Sequence, residues 1–75
     1  MLFGGTKQTV KVEGMHCVHC AGRVKESLEK IEGVKSASVS LENKEAVVKS
    51  KSGISEEAAK KAIEDAGFTF VGLEG

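Results

Sequence analysis

Two cysteines and two histidines alternate in Gly14-Met15-His16-Cys17-Val18-His19-Cys20, where reactive side chains crowd together. Two thiols at CxxC spacing admit a disulfide staple, a redox pair, two inert packed thiols or a metal clasp. A Cys17–Cys20 bridge would close a very short loop and tie nothing distant together, so it is a poor staple. Free cysteine packs as a small apolar residue, but the flanking histidines and glycine are unusual company for a core strand. A metal clasp suits the pattern better. Two soft thiolates with no obligatory third ligand suit Cu(I), which accepts two- or three-coordinate sulfur sites. Ag(I), Hg(II), Cd(II) and Zn(II) accept the same ligands. A structural zinc site takes four protein ligands, and the chain has no second cysteine pair to complete one.

Other side chains nearby have competing roles. Met15 could add a thioether ligand, although methionine flanking a strand end is more often core. His16 and His19 could each lend an imidazole to Zn(II), or bridge a metal in a dimer. Their place between the cysteines on a tight turn should point at least one of them outward. Phe68 reads as core or loop packing ahead of a contact to substrate. Lys25, Lys60 and Lys61 are interspersed with glutamates, so no charge stripe stands out.

Elements must bring the two sulfurs together. Thr6 to Glu13 alternates, with Gln8, Val10 and Val12 on one face, and predicts a half-buried strand that Gly14 breaks. From about Cys20 to Glu32, Ala21, Val24, Leu28 and Ile31 recur at helical spacing, with Gly33 as the stop. Ala37, Val39 and Leu41 then alternate with Ser36, Ser38 and Ser40, and Glu42-Asn43-Lys44 is a turn into a second alternating run around Ala46 and Val48. This is a hairpin. Ser50 to Gly53 is expected to be a loop. Ser55 is an N-cap with Glu56 and Glu57 in the first turn. Ala59, Ala62, Ile63 and Ala66 form the buried stripe of a second helix, ended by Gly67, and Thr69 to Leu73 is a last strand. The order βαββαβ predicts an α+β ferredoxin-like sandwich, a four-stranded antiparallel sheet with two helices on one face. Cys17 then falls in the loop after the first strand and Cys20 at or just inside the helix start. Unpaired N–H groups and the helix dipole favour thiolate there.

Composition narrows the functions. Seventy-five residues predict a single domain over 1–75 with no room for a deep catalytic cleft. Lys plus Arg equals Asp plus Glu at 11 each, which argues against a nucleic-acid binder held by phosphate contacts. Three phenylalanines with no tryptophan or tyrosine leave little for stacking bases or flat cofactors. No apolar run is long enough to span a membrane, so no direct membrane insertion is expected. The first residues, Met1-Leu2-Phe3-Gly4, lack the basic and apolar segments of a secretory signal, and the chain reads as cytoplasmic.

Gly14-Met15-His16-Cys17-Val18-His19-Cys20 resembles the GMxCxxC signature of the heavy-metal-associated (HMA) domain family, which includes small copper chaperones and the soluble metal-binding domains of metal-transporting P-type ATPases. The resemblance extends from Thr6 to Val71 and includes Gly67-Phe68 at a recurrent Gly-aromatic position. It implies Cys17 and Cys20 as metal ligands, Met15 as a non-ligating apolar plug, and Phe68 close to the metal loop, where a phenylalanine is reminiscent of the ATPase domains.

The leading expectation is therefore a non-enzymatic metallochaperone that carries Cu(I) and passes it by ligand exchange. Its partner would be a metal-transporting P-type ATPase or another CxxC metal-binding domain. The carrier would be a monomer, with a metal-bridged dimer as the alternative. A second expectation makes the chain one soluble domain of a copper or heavy-metal ATPase, although Met1 and a compact end at Gly75 fit a free-standing protein slightly better. A remote third is a thiol-disulfide oxidoreductase using the cysteines as a redox pair. The chain has no proline, so it lacks the cis-proline that resembles a hallmark of the thioredoxin-like site.

Overall fold

The computed structural model describes residues 5–74. The leader reading rests on residues 1–4, and the bounds 1–75 reach past both ends, so these parts lie outside the described residues. The elements are β1 (Thr6–Glu13), α1 (Val18–Glu29), β2 (Val34–Ser40), β3 (Glu45–Ser50), α2 (Glu56–Asp65) and β4 (Thr69–Glu74). The strands pair antiparallel in the order β2-β3-β1-β4, the ferredoxin-like arrangement expected from the element order.

Val10 and Val12 of β1, Ala46 and Val48 of β3 and Ala37 of β2 turn to one face of the sheet. There they meet Val24 and Leu28 of α1 and Ala59, Ala62 and Ile63 of α2 in one cluster. Both helices therefore cover the same face. On the other face Lys11 and Glu45, directly opposite in the β1–β3 register, form an ion pair at 2.9 Å.

Two register slips set which residues reach this core. Val34 pairs with Ser50 and Ser36 with Lys49, leaving Lys35 as an extra residue. Lys11 pairs with Gly72 and Val12 with Phe70, leaving Val71 extra. Strict alternation would send Phe70 and Leu73 to opposite faces; the bulge lets both pack on the core while Val71 stays 56% exposed.

The first helix differs from its expected span of about 20–32. It begins at Val18 because Cys17 is its N-cap, and its C-cap is Lys30. Gly33 does not terminate the helix directly. With φ +90° it sits inside a separate turn closed by Val34 N–H to the Ile31 carbonyl at 3.1 Å. Ile31 therefore reaches the core margin from outside the helix. Ser50, expected in a loop, is the buried last residue of β3, and its Oγ accepts from Gly53 N–H at 2.9 Å.

The second helix follows its sequence signals. Ser55 Oγ accepts from Ala58 N–H at 3.1 Å, with Glu56 and Glu57 in the first turn. At the other end Gly67 N–H reaches the Glu64 carbonyl at 3.0 Å and Phe68 N–H the Ile63 carbonyl at 3.1 Å. These are the two bonds of a Schellman stop with Gly67 at φ +93°.

Candidate metal centre

Strand β1 ends at Glu13, and Gly14, at φ +100°, reverses the chain. Met15 is 8% exposed and belongs to the core cluster, so it pins the loop from beneath. Cys17 follows with an extended backbone and is exposed; its carbonyl accepts the first helical bond, from Ala21 N–H at 3.1 Å. Its side chain makes no capping bond, so the sulfur is not committed to the helix end. Cys20 is the third residue of α1, half-buried against the core margin. The two Sγ atoms lie 3.6 Å apart and both thiols are free. One rigid sulfur on the helix and one on the loop thus face a common point.

The Cys20 thiol is held below its ordinary value, first by the backbone N–H of His16 and then by the Cys17 side chain. The Cys17 backbone and the positive charge of Arg23 act in the same direction, and desolvation opposes them. The N–H groups are those of the loop leading into α1, His16 and Cys17, where the first turn of the helix was expected to supply them, and Arg23 lies three residues on along the same helix.

His16 and His19 are both exposed. Among the described residues no three His, Cys, Asp or Glu side chains converge as a metal-holding group, so the histidines do not gather with the sulfurs into a closed site. Phe68 is half-buried on the core margin, and its Cδ1 lies 3.4 Å from where a Cβ on Gly14 would stand. It packs against the core and the loop. Lys25 is tied to Glu29 at 2.8 Å, while Lys60 and Lys61 are exposed on α2.

The heavy-metal-associated domain profile matches residues 9–69, from within β1 through this loop to the start of β4. The chain belongs to the heavy-metal-associated domain family. This HMA domain is 44% identical over 64 residues to the copper chaperone CopZ of Staphylococcus epidermidis strain ATCC 35984, a match covering 84% of this chain and 94% of the relative. Among solved structures it resembles a CopZ metallochaperone at TM-score 0.78 and 39% identity, covering 88% of this chain and all of that one. It also resembles the N-terminal domain of a potential copper-translocating P-type ATPase from Bacillus subtilis, solved in the Cu(I)-loaded state. That match has TM-score 0.74 and 32% identity, covering 91% of this HMA domain and 82% of that chain. The relatives are chaperones and metal-binding domains, and this HMA domain is likewise not an enzyme. No helix among the described residues is long and apolar enough to cross a membrane.

Proposed function

We propose that this HMA domain, as a single domain in the cytoplasm, carries one Cu(I) between Cys17 and Cys20 and hands it to a thiolate-bearing partner. The observation that carries this reading is the pair of free sulfurs, 3.6 Å apart, on an exposed loop at a helix start. Two thiolates leave Cu(I) open to an incoming sulfur while holding it against loss to water. In the transfer a partner thiol gives up its proton and forms a sulfur–copper bond, a three-coordinate shared state follows, and the bond to Cys17 or Cys20 breaks. The released cysteine regains a proton and copper stays Cu(I), so no oxidant or reductant is consumed. The partner is a metal-transporting P-type ATPase or another CxxC domain, and the carrier works as a monomer. Similarity to a soluble copper-ATPase domain supports a second reading, in which the same loop serves inside a longer pump.

The test is an anaerobic titration of the reduced protein with Cu(I) against a chromophoric chelator, with Zn(II) in parallel. Transfer to the isolated Bacillus subtilis ATPase domain is then followed. We expect one Cu(I) per chain, weak Zn(II), loss of tight binding in Cys17→Ser and in Cys20→Ser with the fold retained, and little change when His16 and His19 both become Ala. Tight Zn(II) dependent on the histidines would move them into the site and overturn the copper assignment.

A further inference from the structure

On the sheet face turned away from the helices, the register sets Lys7 of β1 directly opposite Lys49 of β3. Gln8 and Val48 pair one step on, and Val48 is buried in the core, so the two exposed lysines point outward. Like charges directly opposite on one face destabilise an antiparallel pair. Further along β1 the fold does the reverse, where Lys11 faces Glu45 in the ion pair at 2.9 Å. Ser36 of β2 stands on the other side of Lys49, and the extra residue beside it is the exposed Lys35. Lys51, exposed beyond the end of β3, donates its N–H to the Gly33 carbonyl at 2.9 Å, which holds it beside the turn into β2. The acids around this cluster are Glu32 in that turn and Glu74 opposite Thr9; among the described residues neither forms an ion pair. Four lysines distant in sequence thus gather at one end of the sheet, in a chain whose formal net charge is zero. Lys7 stands near the start of β1 and Glu13 at its end, about 20 Å apart along the strand. The cluster therefore lies at the opposite end of the sheet from the metal loop.

We infer that Lys7, Lys35, Lys49 and Lys51 rest this end of the sheet on the anionic headgroups of a lipid bilayer, with the metal loop left clear at the other end. The occupant follows from charge and shape. Lysine is a compact point charge on a flexible stem, without the planar fork by which arginine grips a single phosphate or carboxylate. Spread over the ends of three strands, with the small hydroxyl side chains of Ser36 and Thr9 between them, these charges match a broad negative surface better than one discrete anion. The exposed large apolar side chains, Val18 beside the metal loop and Val71 on β4, lie elsewhere. The contact is therefore electrostatic adsorption without insertion. A chain without net charge feels no bulk attraction, so the cluster alone directs the approach and fixes which end meets the surface. The contact needs no metal and stands apart from copper carriage.

The experiment is co-sedimentation of the full chain with vesicles of phosphatidylglycerol and phosphatidylcholine, against vesicles of phosphatidylcholine alone. Binding should require phosphatidylglycerol and should be lost at about 1 M salt, where charges act over only about 3 Å. The double variant Lys7→Gln, Lys49→Gln should partition about 25-fold more weakly, about fivefold for each lysine. Lys7→Glu should weaken partitioning by a similar factor and yet raise the thermal midpoint, because it turns a repulsive cross-strand pair into an attractive one. Lys60→Gln with Lys61→Gln makes the same change of net charge on α2 and should leave partitioning within about twofold. Absence of binding to the anionic vesicles would overturn the proposal, as would equal binding to phosphatidylcholine alone. Equal loss in the α2 variant would assign the attraction to net charge and remove the cluster. Release by inorganic phosphate at an ionic strength where chloride has no effect would show a discrete anion site instead. Binding of soluble polyglutamate without binding of vesicles would make the partner an acidic protein and overturn the lipid assignment.

Discussion

Cys20 is the residue whose chemistry the fold alters most directly. The His16 backbone N–H, the Cys17 side chain and Arg23 all stabilise its thiolate, so the folded protein keeps Cys20 ionised at a pH where the unfolded chain has taken up the proton. The stabilisation is fully present above the thiol value of the unfolded chain and is lost as pH falls through the lowered folded value. In the Cys17→Ser variant the largest contributor remains, and serine can still donate to the sulfur. Alkylation of Cys20 by iodoacetamide, followed against pH in that variant, should therefore show a lower midpoint folded than in denaturant. Coincident midpoints would remove the electrostatic account of this thiol.

At the scale of elements, the metal loop is held by the joint between β1 and the end of α2. The Schellman stop at Gly67 turns Phe68 back onto the core margin, and its ring sits against Gly14. The two glycines flanking the cysteines therefore respond oppositely to alanine. Gly14→Ala places a Cβ at φ +100°, 3.4 Å from Phe68 Cδ1, and should destabilise by about 1–2 kcal/mol. Gly22→Ala meets open space in a helix and should stabilise by about 0.5–1 kcal/mol. Urea midpoints at constant slope check both; the same sign for the two substitutions would contradict this assignment of their backbone roles.

The buried core of the molecule includes neither cysteine. Every element contributes to or packs against one cluster, with Cys20 on its margin and Cys17 exposed. The β3–α2 connection is held at the opposite end of β1 from the metal loop, where Gln8 accepts from Ile54 N–H at 2.7 Å and donates to its carbonyl at 3.1 Å. The reduced, metal-free protein should accordingly unfold in one cooperative transition, unlike small zinc modules that lose structure when stripped. Saturating Cu(I) should then raise the midpoint by mass action, worth about 4 kcal/mol when free copper exceeds Kd about a thousandfold. A metal-free protein without cooperative unfolding, by calorimetry or circular dichroism, would show that metal builds the fold.

Much of this was legible in the chain itself. Period-two alternation in Val10 and Val12, helical spacing in Val24 and Leu28, and the Ser55 cap each rest on local geometry, so the element order and topology followed from sequence. The proximity of Cys17 and Cys20 was also local, since both lie on one strand-to-helix turn. Tertiary packing decided what no local period encodes. The bulges at Lys35 and Val71 turn residues three apart to the same face, because the β2–β3 and β1–β4 ladders admit an extra residue on one strand. The early end of α1 was set by a separate turn at Gly33. The seat of Phe68 on Gly14 and the open space over Gly22 are distances between parts of the chain or their absence, and only the folded molecule fixes them.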